Sequence, residues 1–345
     1  IAMYTYDLLN ELEHAWAITV HKSQGKGVVL REPTVVAVDK HTGQLLKVGQ
    51  DAQKMLGRTP ANIVAIHPIQ SGVISDYDMT VAMLSEFIKK VTSFSLFKPR
   101  MLVSVPGNIS GVEERAVIDA MVEAGARKVY LTESSLATVT GAGVDLSKPD
   151  GHMVIDIGQG KTDIAVVSLN GVVESKSLKT AGNAFDESIV RYIRNKHNVL
   201  IGMRSAEELK QSIGGIIRRD DAAPEEVKGR CLATGMPKTV HITSAELAEV
   251  MAEPTKKILE AVHLVLERTP PELVGDIARN GIIMSGGGSL LYGLDKLIAH
   301  DTGISTIVVD DALSCTVYGA GKMLSNLDDM EDGMINIARK RQLKG

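Results

Sequence analysis

Cysteine is scarce in this chain of 345 residues, and it has neither an excess of positive charge nor a long hydrophobic run. The two cysteines, Cys231 and Cys315, lie far apart and without C-x-x-C spacing. This excludes a sequence-local zinc knuckle or redox pair and fits a reducing cytoplasm. Lys and Arg number 38 against 42 Asp and Glu, a net charge of -4. That balance argues against nucleic-acid binding, because nucleic-acid proteins usually carry a basic stripe.

Membrane-spanning and secreted classes are also disfavoured. No segment approaches the ~18 consecutive apolar residues that a spanning helix needs. The first residues carry Asp7, Glu11 and Glu13 where a signal peptide would have a basic region. We therefore expect a cytoplasmic protein, and its length predicts two or more lobes at about 150 residues per domain.

Strand-like and helix-like segments alternate along the chain, which predicts a mixed α/β fold. Apolar residues at helical spacing predict a helix over 81–91, and the capping-box pair Ser110 and Glu113 predicts a helix start. Residues 152–157, 163–168 and 172–176 read as a meander of three strands. We expect residues 204–230 to be helical and charged, 244–266 to form a long helix, and Thr269-Pro-Pro-Glu272 to start another.

The first candidate site is the glycine-rich turn between the first two strands of this meander. Its backbone N–H groups can face a phosphate, and a carboxylate at its edge can hold Mg²⁺ through water. A P-loop is excluded because Ile155 stands where that motif needs glycine and a strand follows instead of a helix. An ordinary hairpin turn is the alternative. The candidate residues are Asp156, Gly158, Gln159, Gly160, Lys161 and Thr162.

A second glycine run follows the apolar strand 281–284 and precedes an apolar helical segment. Glycine at this place lets the backbone approach a ligand and present free N–H groups to it, although a flexible connector is the alternative. Two such turns suggest a nucleotide held between two lobes. The residues of the second turn are Gly286, Gly287, Gly288 and Ser289.

The order of these motifs resembles the actin, sugar-kinase and chaperone ATPase superfamily, and within it the MreB family of bacterial actins. The resemblance runs from about Gly25 to about Leu324. The stretches that carry it include GKGVVLREPTVVAVD, KPRMLVSVP, DIGQGKTDIAVVSL, LIGMRSAEELK and SGGGSLLYGLDKL.

The resemblance implies an actin-like ATPase fold with two RNase H-like lobes, four subdomains, and ATP with Mg²⁺ in the central cleft. The lobes would cover residues 25–150 and 151–324, the second ending in a helix that returns to the first. Residues 1–24 would be an atypical N-terminal segment and 325–345 a polar tail. Asp156 to Thr162 would be the second phosphate loop, Gly286 to Ser289 would support the adenosine, and the nucleoside would be flanked by Glu207, Glu208 and Lys210.

The family's function would be carried over with the fold. MreB-like proteins assemble into filaments on the inner face of the cell membrane and organise wall synthesis in rod-shaped cells. The implied partners are further copies of the chain, the membrane surface, and the elongation machinery with MreC, MreD and RodZ-like proteins, without nucleic acid. Phe94, Leu96 and Phe97 match the family's membrane-touching loop. The alternative is that the two phenylalanines are core residues.

The N-terminal segment departs from the family pattern. The family opens with a strand and a first phosphate loop of the type Asp-Leu-Gly-Thr-Ala-Asn, which is not found in residues 1–24. Residues 11–25 instead resemble a late motif of RecD-type helicases. A fusion or a mis-called start is the preferred interpretation, and chance similarity is the alternative.

Three further departures weaken the expected chemistry. Ser134, next to Glu133, stands where the family has the glutamate that orients the attacking water, and a serine is no base near neutral pH. Lys161 replaces a threonine and puts an ammonium near the phosphates, where it would pair with phosphate or displace the metal. Asn183 replaces an aspartate. All three changes predict slow or absent hydrolysis, at most a weak ATPase.

Two other functions stay open from the sequence. One is an active ATPase or sugar kinase of the same superfamily, although no second-substrate signature is found. The other is a degenerate pseudo-actin that copolymerises with a paralogue without turning nucleotide over.

Overall fold

The computed structural model describes residues 18–20, 28–70, 72–92 and 98–325. In chain order the strands of this part are β1 (Ile18–Val20), β2 (Val36–Asp39), β3 (Leu45–Val48), β4 (Ile63–Ile66), β5 (Ile69–Gln70), β6 (Val73–Ile74), β7 (Arg100–Val105), β8 (Lys128–Glu133), β9 (His152–Ile157), β10 (Thr162–Ser168), β11 (Gly171–Leu178), β12 (Val199–Leu200), β13 (Glu225–Cys231), β14 (Pro237–Ile242), β15 (Ile282–Ser285) and β16 (Thr306–Val308).

The α-helices of the same part alternate with these strands, and a 3-10 helix spans Gly287–Leu290. The helices are α1 (Gln50–Gln53), α2 (Tyr77–Val91), α3 (Gly111–Glu123), α4 (Ser134–Gly141), α5 (Gly182–His197), α6 (Met203–Ile213), α7 (Ser244–Arg268), α8 (Pro271–Asn280), α9 (Leu294–Thr302) and α10 (Cys315–Ser325).

A mixed five-stranded sheet organises the second half of the chain, in the order β11-β10-β9-β15-β16. β9, β10 and β11 form an antiparallel meander, whereas β15 pairs parallel with β9 and β16. The predicted meander and the mixed α/β class are therefore confirmed. A smaller sheet, β12-β13-β14, lies on the same half of the chain.

The first half carries smaller sheets with the orders β1-β7-β8, β3-β2-β4 and β5-β6. β7 and β8 are parallel, and β1 adds to the free edge of β7 in the antiparallel direction, with Ile18 opposite Val103. A short strand thus exists inside the segment 1–24.

Two hydrophobic cores accompany the two sets of sheets. One is formed by buried residues between Val36 and Leu131, and the larger one by buried residues between Met153 and Ile304. Local signals place the helices that cover them. Asp76 caps α2, whose Leu84, Phe87 and Ile88 are buried as the helical spacing predicted. Ser110 and Glu113 form the predicted capping box at the start of α3.

Helix α10 returns to the first half of the chain and packs on α4. The two helices approach so closely that glycine is required at the contact. A Cβ atom on Gly141 would lie 1.9 Å from the carbonyl oxygen of Cys315, and one on Gly319 would lie 1.7 Å from that of Ala137. This contact ties the end of the described chain to the sheet of β7 and β8.

One helix prediction needs correction. The helical prediction for residues 204–230 is right only as far as Ile213, because Gly214 and Gly215 end α6 and the charged residues 225–231 form strand β13. The helix predicted to start at Thr269-Pro-Pro-Glu272 is confirmed as α8 from Pro271, although the hydroxyl of Thr269 donates to the carbonyl of Val265 and does not cap the helix. The long helix around Pro254 is confirmed as α7.

Several sequence-based predictions lie outside the described residues. They concern Phe94, Leu96 and Phe97 of the expected membrane loop, residues 326–345 of the expected tail, and most of 1–24. No helix in the part of the chain that the structure describes is long and apolar enough to cross a bilayer.

Candidate functional site

A cavity of about 630 Å³ lies between the β9–β10 turn, the start of α5, helix α6 and the glycine run after β15. It brings together residues that are far apart in sequence, including many of those predicted to hold a nucleotide. Its lining is formed by Gly158, Gln159, Gly182, Phe185, Glu207, Glu208, Lys210, Gln211, Ser212, Gly214, Arg219, Gly287, Gly288, Leu290, Leu291, Tyr292 and Leu313.

The β9–β10 turn is held in place by backbone hydrogen bonds. The amide of Gly158 donates to the carbonyl of Lys161 at 2.9 Å, which closes the turn. The amides of Gly182 and Asn183, at the start of α5, donate to the carbonyls of Gly158 and Gln159 at 3.0 and 2.8 Å. The turn and the helix N-terminus therefore form one unit at the cavity wall. A helix N-terminus carries partial positive charge and favours an anion beside it.

Gln159 links this unit to the side chains behind it. Its Nε2 donates to Oδ1 of Asn183 at 2.7 Å and lies 3.3 Å from Oδ2 of Asp186. Lys210 on α6 donates from Nζ to Asp186 at 2.8 Å and to the carbonyl of Gly182 at 3.2 Å. Burial raises the pKa of Asp186, although Lys210 and Gln159 oppose that shift. The predicted residues Gln159 and Lys210 thus reach the cavity as parts of one polar network.

Glu207 and Glu208 stand on the cavity side of α6, as the resemblance implied for the segment beside a nucleoside. Glu208 accepts from Arg204 at 3.0 Å, and Glu207 accepts from Gln211 at 3.2 Å. These i,i+4 contacts run along the helix surface and position both carboxylates at the cavity rim.

Two carboxylates and one ammonium, of Asp156, Asp163 and Lys161, lie beside the β9–β10 turn and are not among the residues that line the cavity. Asp156 and Asp163 are directly opposed across β9 and β10. The ammonium of Lys161 pairs with one oxygen of Asp163, and the hydroxyl of Ser177 donates to the other. Burial and then the charge of Asp163 raise the pKa of Asp156 to about 6, against the opposing effect of Lys161.

These side chains do not fit the Mg²⁺ that was expected beside Asp156. Both oxygens of Asp163 are already bound, and a cation already lies at the carboxylate pair. Mg²⁺ at a nucleotide is held by one or two carboxylates together with water and phosphate oxygens. At these two aspartates it would meet the repulsion of the Lys161 ammonium.

Asp156 and Lys161 are not among the residues that line the cavity, and neither are four other predicted residues. Thr162 is fully buried and its hydroxyl donates to the carbonyl of Thr180 at 2.7 Å. Ser289 is buried and donates to the carbonyl of Gly286 at 2.7 Å. Gly286 has a φ of 81°, and a Cβ there would lie 2.6 Å from Oδ1 of Asp156. These three residues shape the two turns, while Gly160 belongs to the first turn without lining the cavity.

Glu133 and Ser134 also lie away from the cavity wall. Ser134 is buried in the first turn of α4, and its hydroxyl donates to the carbonyl of Val105 at 3.1 Å. Glu133 is at the end of β8, where a Cβ on Gly107 would lie 3.0 Å from its Oε2. The Ser134 hydroxyl therefore serves the backbone of the first half of the chain.

Sequence reasoning missed the other wall of the cavity. Tyr292 is 40% exposed, and the guanidinium of Arg219 lies 5.2 Å from its ring centroid. The amide of Arg219 donates to Ser244 at 2.9 Å, which fixes the loop after α6. No local motif in the sequence marks Arg219 or Tyr292 as a cavity residue.

Two α/β halves, with a glycine-lined cavity at the β9–β10 turn, define an actin-like fold. The structure is similar to the crystal structure of MreB 5 of Spiroplasma citri bound to AMPPNP, with a TM-score of 0.86, 32% identity, and 91% of this chain and 97% of that chain covered.

Sequence comparison gives the family. The profile of the MreB/Mbl protein family matches residues 15–332. The chain is 45% identical to the cell shape-determining protein Mbl of Bacillus subtilis over 310 residues, covering 89% of this chain and 92% of that protein. It is 43% identical to the cell shape-determining protein MreB of Escherichia coli over 332 residues, covering 94% and 95%. The chain belongs to the MreB/Mbl family. The match begins ten residues before Gly25, so family similarity extends into the segment 1–24.

Proposed function

We propose that this chain is an ATP-binding bacterial actin whose filaments, on the inner face of the cell membrane, organise wall synthesis and rod shape. The cavity carries the proposal, because seven of the predicted nucleotide-binding residues line it together: Gly158, Gln159, Glu207, Glu208, Lys210, Gly287 and Gly288. Its volume falls within the range of about 300–1,000 Å³ that is typical of ligand sites. We also propose that the chain is divided into two lobes, which cover residues 25–150 and 151–324.

The chemistry of the walls supports a nucleotide as the ligand. The α5 N-terminus brings the positive end of its helix dipole to the cavity wall beside the β9–β10 turn, which favours phosphate there, while its amides at Gly182 and Asn183 donate to the turn itself. Tyr292 and Leu290, which follow the second glycine run, offer the aromatic and apolar contacts on which a base would stack. The relative from Spiroplasma citri binds AMPPNP, an ATP analogue.

Hydrolysis is proposed to be weak or absent. Ser134 has no proton-accepting strength near neutral pH and uses its hydroxyl on the backbone. ATP then serves as a structural and switching ligand. Mg²⁺ was expected through Asp156, but Lys161 already supplies a cation there.

Filament formation, membrane contact through Phe94, Leu96 and Phe97, and interaction with MreC, MreD and RodZ-like proteins are proposed from family membership. We also propose that a RecD-like motif in residues 11–25 replaces the family's first phosphate loop. A copolymerising pseudo-actin is the second candidate, favoured by the buried Ser134 hydroxyl.

Calorimetric titration of ATP into the purified full chain tests the proposal. We expect saturable binding that Tyr292→Ala weakens about tenfold, because loss of a base-stacking contact costs about 1–3 kcal/mol. Leu232→Ala is the matched control, since Leu232 is similarly exposed, at 42% against 40%, and does not line the cavity. Absence of binding by the folded protein, or equal losses in both variants, would overturn the nucleotide site.

Sedimentation separates the two candidates. An autonomous filament pellets when ATP is added to the chain alone. A copolymerising pseudo-actin stays in the supernatant until a family member that polymerises by itself is added.

A further inference from the structure

We propose that the ammonium of Lys161 takes the place of a divalent cation at the phosphate end of the cavity, so that this chain binds ATP without Mg²⁺. The inference rests on the proposed nucleotide site and specifies its metal requirement. It is carried by the way Lys161 is fixed between Asp163 and the first half of the chain.

The ammonium is held at a defined place. Lys161 lies in the same turn as Gly158 and Gln159, which line the cavity. Its Nζ pairs with the carboxylate of Asp163, two residues further along the chain in β10. The side chains of Lys161 and Asp163 are only 12% and 9% exposed. Ser177 donates to the second oxygen of Asp163. Each oxygen of the Asp163 carboxylate therefore has a partner, and the carboxylate orients the lysine.

The stem of Lys161 is fixed as well. It crosses to the β5–β6 hairpin, where a Cβ atom on Gly72 would lie 3.5 Å from Cε and 3.6 Å from Cδ of the lysine. The same Cβ would lie 2.9 Å from Cγ of Pro106. Residues from both halves of the chain thus enclose the lysine, with Gly72 packed against its stem and close to Pro106.

The ammonium of Lys161 places one positive charge at the carboxylates where Mg²⁺ would place two. Asp156 and Asp163 oppose each other across the two strands, and Lys161 lies beside this pair. An ammonium has three donors, and Asp163 takes one of them. The other two are left for phosphate oxygens, which lysine binds as a point charge. A second, divalent cation at the same place would meet the repulsion of the ammonium.

The test compares ATP affinity in Mg²⁺ with affinity in excess EDTA, using calorimetry on the full chain. For the wild type we expect the dissociation constant to change by less than about twofold between the two conditions. Lys161→Met keeps an apolar stem on Gly72 and removes the charge. We expect this variant to lose about tenfold in affinity, or about 1.4 kcal/mol, when EDTA replaces Mg²⁺.

Lys161→Arg is the matched control, since it keeps the charge and should behave like the wild type. A wild-type affinity that falls about tenfold in EDTA would overturn this inference and leave the nucleotide site intact. An equal response of Lys161→Met and the wild type would overturn it too. Failure of the wild type to bind in either condition would overturn the nucleotide site itself. Should Lys161→Met fail to fold by circular dichroism, the wild-type comparison still decides.

Discussion

The contact between α4 and α10 makes a sharp prediction, because backbone approaches backbone there. A Cβ atom on Gly319 would lie 1.7 Å from the carbonyl oxygen of Ala137 and 2.6 Å from the amide nitrogen of Gly141. Non-bonded carbon atoms prefer separations of about 3.5–4.0 Å. Side-chain rotation cannot relieve an overlap with backbone atoms, so Gly319→Ala has to push the helices apart.

The loss of stability follows from the hydrophobic cluster that packs at this contact. Leu102, Ala137, Ala320 and Leu324 are buried between the helices and β7, and separation opens this cluster. Overpacking of this kind typically costs about 1–3 kcal/mol. A backbone overlap belongs at the upper end of this range, about 3 kcal/mol, and the gain of up to about 1 kcal/mol for alanine in a helix reduces the expected fall in the free energy of unfolding to about 2 kcal/mol. At about 2 °C per kcal/mol for a chain of this length, the Tm falls by roughly 4 °C.

Differential scanning calorimetry measures this effect, with Gly275→Ala as the matched control. Gly275 is also helical, within α8, but a Cβ atom there meets nothing within 4 Å. The control should therefore gain about 0.5–1 kcal/mol and melt slightly higher than the wild type. A Gly319→Ala variant that melts as high as Gly275→Ala would refute the proposed backbone contact.

Three more predictions concern the polar groups. Lys210→Met leaves the buried carboxylate of Asp186 without its cation. We expect it to lower the free energy of unfolding in urea by about 3–5 kcal/mol, and we expect the double variant that adds Asp186→Leu to recover this loss. An unchanged urea midpoint would contradict the ion pair. Burial raises the pKa of Glu246, but hydrogen bonds, that from Lys196 foremost, outweigh it and lower the pKa to about 2. The ionised carboxylate of Glu246 therefore stabilises the fold fully above the ordinary pKa of 4.5, and this stabilisation is lost as the pH falls towards about 2. Glu246→Gln should flatten the loss of stability over that pH range. Equal pH slopes of stability in the variant and the wild type would count against this prediction. Ser134→Ala should leave phosphate release within about twofold of wild type, whereas a loss of about a hundredfold would make the serine a water-orienting group.

Local patterns predicted the β9–β10 turn and helix α7 correctly. The turn combines two apolar strands with Gly158 and Gly160 between them, so strand periodicity and glycine punctuation agree. α7 begins at a capping box of Thr243 and Glu246, a signal not used in the prediction, and continues past Pro254 because its apolar face stays buried. Short-range rules suffice where one segment decides its own structure.

The errors arose where charge was taken as a helix signal. Residues 225–231 carry charges at Glu225, Glu226, Lys228 and Arg230, and the helical prediction was extended through them. In the structure Val227 points into the core while its neighbours Glu226 and Lys228 are exposed, which is strand alternation. Gly214 and Gly215 before this segment were the local signal of a helix end.

The cavity wall formed by Phe185, Arg219 and Tyr292 was beyond prediction for a different reason. These residues come from α5, the loop after α6 and the segment after the second glycine run. Only the packing of α5 on α6, and the bridge between Gly215 and Tyr292, bring them to one wall. Tertiary contacts of this kind leave no period or spacing in the sequence.

The departures from the family pattern are not spread evenly over the site. Lys161, Ser134 and Asn183 all concern the phosphate end, where Asn183 accepts from Gln159 and Lys161 pairs with Asp163. The nucleoside end keeps Glu207, Glu208, Lys210 and the glycines of the second turn at one wall. Binding of a nucleotide depends on both ends, since the base and the phosphates contribute contacts, but cleavage depends on the phosphate end alone. On the proposed function, changes confined there would alter turnover and metal use while leaving the nucleoside contacts in place, as expected of an actin that uses ATP to fix its conformation.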